Sequence, residues 1–115
     1  MAERSASYSD ERGTLVTTEF SDVPFSVSRV FTVRGPEGGA VRGNHVVNGA
    51  QLLVLLGGTV TVLNGPDAEH LGDEILLTEL GSRILLADGT YIRYTLPDAA
   101  ASVLVFCELP FVVRI

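Results

Sequence analysis

The sequence has no tryptophan, no lysine, one cysteine and only two histidines. A single cysteine cannot close an internal disulfide, so a buried core must hold the fold, and a reducing, cytoplasmic setting is expected. Cys107 sits in the apolar run ASVLVFCEL and reads as a small buried residue. Without lysine, all eight basic residues are arginines. Arginine's planar fork suits carboxylate or phosphate, although high genomic GC content gives the same bias. The net charge of −6 leaves no basic face with which to displace counterions, which excludes nucleic-acid and anionic-membrane partners. No stretch reaches the roughly 18 uninterrupted apolar residues of a membrane span. The opening MAERSASYSDER lacks a signal-peptide core, so no membrane partner is expected.

What is present describes a folded chain: 46% of the 115 residues are hydrophobic and 19% charged, a composition that can bury a core. The length fits one domain. Residues 1–9 are small and polar and are expected to be flexible, with residues 10–115 forming the domain.

Short β-rich segments separated by turns make up most of the chain. Residues 10–13 (DERG) form a turn before a short strand at 14–19. Residues 25–34 (FSVSRVFTVR) alternate as one long strand, and three glycines and a proline then force a loop at 35–39. Further strands are expected at 59–63, 82–87, 91–96 and 101–108, while 73–80 reads as a strand or a turn of helix. With no stripe of helical period, the pattern predicts an all-β sandwich or barrel.

The most informative stretch is 39–58, GAVRGNHVVNGAQLLVLLGG, which reads as strand, turn and strand. Its spacing fits the first signature of the cupin barrel (Gly-x5-His-x-His-x3-Glu-x6-Gly) at Gly39, His45, Val47, Gln51 and Gly58. The second signature falls on Gly81, Ala87, Gly89, Ile92 and Leu96. The chain therefore resembles a cupin, a single-domain jelly-roll β-barrel, whose four metal positions read His45, Val47, Gln51 and Ile92. One imidazole and one amide are too few, because stable sites use three or four His, Cys or carboxylate ligands. No metal or other cofactor is expected.

In that register His45, Val47, Gln51 and Ile92 point into the barrel mouth, joined by Tyr94 two residues beyond Ile92. His45 is either a proton carrier, as a near-neutral imidazole can be, or a hydrogen-bonded core histidine. Gln51 either orients a carbonyl or hydroxyl or satisfies backbone. Arg42 and Arg29 are candidates to hold an anionic group. Tyr91 and Tyr94 either stack on a ring, supply a phenolic proton, or simply pack. His70 lies in a polar loop and reads as solvated.

Over residues 10 to about 110 the chain resembles a particular set of cupins, the sugar 3,4-ketoisomerases acting on thymidine-diphosphate 4-keto-6-deoxyglucose, with the related WxcM-like domains. The pieces are DERGTL at 10–15, VPF at 23–25 leading to RVF at 29–31, VRGNH at 41–45, Gln51 before LLVLLGG, and GTY at 89–91. The resemblance implies a metal-free barrel and a homodimer, often with exchanged N-terminal strands. It also implies a proton shift between C3 and C4 of a keto sugar through an enediol, with arginine meeting the nucleotide's phosphates. His45 would be the acid/base, with Arg42 beside it as ligand or support. The family's second histidine is Val47 here, Phe31 and Thr32 lie where those enzymes carry tyrosine, and their acidic, tyrosine-rich tail is reduced to residues 111–115, FVVRI. Two other readings keep the fold: a cyclase or epimerase acting on an apolar natural-product intermediate, and a small-molecule-binding cupin with no activity.

Overall fold

In the computed structural model, residues 3–4 and 6–110 are described. The segment 111–115, read above as a shortened tail, lies outside them. The described residues are all-β, with eleven strands and one turn of 3₁₀-helix at Phe20–Asp22. The strands are β1 (Glu3–Arg4), β2 (Ala6–Asp10), β3 (Gly13–Thr17), β4 (Arg29–Arg34), β5 (Ala40–Val46), β6 (Gln51–Gly57), β7 (Val60–Gly65), β8 (Ile75–Leu77), β9 (Ser82–Leu86), β10 (Tyr91–Leu96) and β11 (Ser102–Cys107). Among the described residues no helix is long and apolar enough to cross a membrane.

Two antiparallel sheets face each other in the jelly-roll manner. One has the order β1-β9-β6-β11-β4 and the other β5-β10-β7-β8, while β2 and β3, among the described residues, pair only with each other. In β10 the burial alternates strictly, with Ile92, Tyr94 and Leu96 inside. They meet Leu53, Leu55, Val103 and Val105 from the opposite sheet in one core, as expected for strands with one face on a core and one toward solvent.

β6 departs from alternation because both of its faces are covered. Leu53 and Leu55 point into the main core, whereas Leu52 and Val54 join Val23 and Phe106 in a second cluster on the sheet's outer side. Phe25 and Val27 pack onto that outer cluster, and Phe20 meets Phe106 edge-on with ring centroids 6.1 Å apart. This arrangement corrects the expectation of one strand over 25–34. Only Arg29–Arg34 enters the sheet, and the apolar residues at 25 and 27 alternate because they cover its outside. The ambiguous segment 73–80 contributes a short strand, β8.

Residues 3–4 and 6–9, expected to be loose, lie in strands. β1 adds to the open edge of β9, where unpaired backbone groups favour another strand. The β2–β3 hairpin is closed by Asp10, whose carboxylate accepts from the Arg12 backbone N–H at 2.8 Å and from Arg12 Nη2 at 2.6 Å. Ser9 and Thr14 hydroxyls meet across it at 2.9 Å.

Candidate active site

A cavity of about 550 Å³ opens between the two sheets, within the roughly 300–1,000 Å³ typical of small-molecule sites. One wall carries Arg29, Phe31, Gln51, Leu53 and Val105, and the other Val41, Arg42, Gly43, His45, Ile92 and Tyr94. Among the described residues no lining side chain is acidic, so two arginines from opposite walls make this cavity locally positive in a chain of net charge −6.

The second wall depends on a β-bulge. In a regular strand Arg42 and His45, three residues apart, would face opposite ways. Here Ile92 pairs with His45 while Arg93 pairs with Gly43, and the register shift leaves Asn44 as the extra residue. Gly43 and Asn44 take φ values of 84° and 57°, and Arg93 Nε donates to Asn44 Oδ1 at 2.6 Å. The extra residue restores parity: Tyr94 pairs with Arg42 and Ile92 with His45, so all four side chains lie on the cavity face.

His45 is exposed at the opening. Its Nδ1 is 3.1 Å from the Val46 carbonyl oxygen. A carbonyl can only accept, so this contact places the imidazole proton on Nδ1 and leaves Nε2 as the basic nitrogen. Across the cavity, the Arg29 guanidinium lies 5.2 Å from the Phe31 ring centroid, and Arg29 is the cross-strand neighbour of Cys107. Burial pushes the Cys107 thiol above its ordinary pKa, and the nearby Arg29 charge offsets part of that rise. Cys107 also pairs with Gln51, giving a row Arg29–Cys107–Gln51 across β4, β11 and β6.

Six of the eight residues singled out in the sequence meet at this cavity: Arg29, Arg42, His45, Gln51, Ile92 and Tyr94. Val47 does not line it. Beyond the end of β5 it is fully buried in the core, its backbone tied to Thr90 and Gly89. Tyr91 also lies elsewhere, because it neighbours the inward Ile92 and so takes the other face of β10. Sequence reading missed Phe31, Leu53 and Val105 as lining residues. Each stands two residues from an inward position, at 29, 51 and 107, so alternation along β4, β6 and β11 carried the signal.

The cupin frame raises the question of a metal, and the donor set does not fit one. His45 is the only imidazole at the cavity, Val47 and Ile92 have no donor atom, and among the described residues no three His, Cys, Asp or Glu side chains come together.

Comparison with known proteins bears on the family and the fold. The family model described as WxcM-like, C-terminal, matches residues 3–113. The chain belongs to the WxcM-like, C-terminal family. Among solved structures it is similar to QdtA, a sugar 3,4-ketoisomerase from Thermoanaerobacterium thermosaccharolyticum in complex with TDP, with TM-score 0.83 and 18% identity over 97% of this chain and 82% of that one. It is similar also to the WlaRB TDP-quinovose 3,4-ketoisomerase of Campylobacter jejuni (TM-score 0.79, 19% identity, 98% and 87% covered). A third is ChmJ, a 3'-monoepimerase from Streptomyces bikiniensis in complex with dTDP-quinovose (TM-score 0.80, 17% identity, 96% and 64% covered). No curated protein sequence matches the chain significantly. At these identities the likeness to solved structures establishes the fold alone.

Proposed function

We propose that the protein is a sugar-nucleotide isomerase, and specifically a 3,4-ketoisomerase acting on TDP-4-keto-6-deoxyglucose without a metal. The observation that carries this reading is the joint placement of an imidazole with a free basic nitrogen and two arginines on opposite walls of one cavity. Arg29 and Arg42 offer planar donor forks for the diphosphate, and Gln51 can donate to and accept from a sugar hydroxyl. Phe31, Leu53, Ile92 and Val105 supply an apolar surface suited to the 6-methyl group. His45 Nε2 takes the C3 proton next to the C4 carbonyl and returns it to C4, which moves the carbonyl to C3 through an enediol. The family fold and the activities of QdtA and WlaRB support the same reading.

The test is conversion of TDP-4-keto-6-deoxyglucose to its 3-keto isomer, followed by NMR, with wild type and His45→Asn. Loss of a positioned acid/base should slow turnover by about 10²–10⁴. A His45→Asn protein as fast as wild type would remove His45 from the mechanism.

The apolar part of the lining also favours a second reading, a cyclase or epimerase acting on an apolar metabolite. A crystal soaked in both ligand classes that binds only the apolar compound would favour it. We further take the protein to act as a homodimer, since Tyr8 and Leu15 on the β2–β3 hairpin are 64% and 60% exposed and the hairpin pairs with no other strand. Light scattering that returned the mass of one chain would exclude this.

A further inference from the structure

Moving a carbonyl from C4 to C3 requires two kinds of proton transfer. One proton passes between the carbons, and another must reach the C4 oxygen and leave the C3 oxygen. His45 can serve the carbons, and the frame position that would hold a second imidazole is Val47, buried in the core away from the cavity. Of the other polar side chains on the lining, Gln51 does not ionise, and Arg29 and Arg42 stay protonated throughout catalysis. Among the described lining residues that leaves one further group able to exchange a proton, the phenol of Tyr94.

The setting of that phenol points the same way. Tyr94 is 7% exposed and lines the cavity, yet no hydrogen bond joins its hydroxyl to another described residue. The hydroxyl is not a sealed, unpartnered atom; on the cavity lining it is placed to meet a polar atom of a bound ligand. Tyr94 is the cross-strand neighbour of Arg42 and sits diagonally from His45 on the same face, and a guanidinium beside it stabilises negative charge that develops on the ring oxygen.

We infer that Tyr94 is the second proton carrier of this site, serving the sugar oxygens while His45 serves the carbons. The inference rests on the isomerase reading above. In the first half-reaction the C3–H bond breaks toward His45 Nε2 as the Tyr94 O–H gives its proton to the C4 carbonyl oxygen. The products are the neutral enediol, an imidazolium and a phenolate. In the second half the imidazolium protonates C4 and the phenolate takes the proton from the C3 hydroxyl, which becomes the carbonyl. Both residues return to their starting forms and no electrons leave the pair of reactants.

The experiment compares wild type, Tyr94→Phe, Tyr94→His and His45→Asn/Tyr94→Phe in the keto-sugar assay, with each variant's melting curve recorded. Tyr94→Phe removes one oxygen that no described residue holds, so it should fold. Its kcat should fall by about 10²–10⁴ with KM changed less than about threefold, because a group used only for proton transfer contributes little to ground-state binding. Tyr94→His, which restores an exchangeable proton, should recover at least about tenfold of the loss. The double variant should be no slower than the slower single one, as for residues acting as a unit. If wild type is active and Tyr94→Phe keeps its kcat, or if the Phe and His variants are equally slow, the assignment of Tyr94 is overturned while the isomerase reading stands. If wild type converts no keto-sugar nucleotide, the isomerase reading falls and this assignment with it.

Discussion

Replacing Gly43 by alanine tests the feature on which the cavity depends. Gly43 has φ +84°, and a Cβ there would lie 2.8 Å from the Ile92 carbonyl oxygen, a backbone atom that cannot swing aside. The left-handed conformation costs a residue with a Cβ roughly 1–2 kcal/mol, and relieving the contact by shifting β5 or β10 adds a comparable amount of local strain. Together they come to about 2–4 kcal/mol, a large part of the roughly 5–15 kcal/mol that holds a domain folded. This corresponds to a Tm lower by about 8–15 °C. Two controls separate the causes. Gly89, at φ +85°, has no atom within 4 Å of where a Cβ would sit and carries only the conformational penalty, so Gly89→Ala should cost about 1–2 kcal/mol. Gly38 has neither a positive φ nor a close neighbour, and Gly38→Ala should leave stability unchanged or raise it by up to about 1 kcal/mol. If β5 escapes the strain by losing the bulge, Arg42 and His45 no longer share a face, and turnover should fall with stability. Urea denaturation of the three variants beside the keto-sugar assay measures both. A Gly43→Ala protein as stable and as active as Gly38→Ala would refute the role given to the bulge.

Leu55 is fully buried in the main core and Leu85 is 52% exposed. Leu55→Ala should therefore cost about 2–5 kcal/mol in chemical denaturation and Leu85→Ala less than about 0.5 kcal/mol; equal costs would contradict the placement of the core. Burial raises the Cys107 thiol pKa in the folded state, so the native protein keeps that proton to higher pH than the unfolded chain. Its contribution to stability is complete below the ordinary thiol range near pH 8.5 and is lost as pH rises through the folded value. Denaturation midpoints should fall on the alkaline side in wild type and fall less in Cys107→Ala. Alkylation of Cys107 should be slow until the protein unfolds, and rapid labelling of the native protein would show the thiol to be accessible.

Much of the fold was legible in the sequence because β10 and β7 have one covered face and therefore alternate, and because Gly39, Gly58, Gly81 and Gly89 mark turns. The segment 25–34 misled for a definite reason. Phe25 and Val27 alternate with serines, as in a strand, but they cover the outside of a sheet. Periodicity reports that one side of a segment is buried without saying against what. At the site, the cupin frame found Ile92 and a period of two then found Tyr94, whereas Arg42 and His45 share a face only through the extra residue at Asn44. Nothing in a period-two reading supplies that residue, although Gly43 followed by asparagine is a pair that tolerates positive φ. Val47 shows the opposite failure. Its spacing from His45 is right for the frame, but the chain has left β5 by then and carries the side chain into the core.

In the proposed reaction His45 moves a proton between adjacent carbons of a keto sugar held in this cavity. Incubating TDP-4-keto-6-deoxyglucose with the protein in deuterium oxide and following the C3 proton by NMR reads that transfer directly. With wild type the C3 signal should be lost at a rate at least matching isomerisation, and with His45→Asn it should persist. Persistence of the signal with the wild-type protein, or its loss at the same rate with His45→Asn, would contradict it.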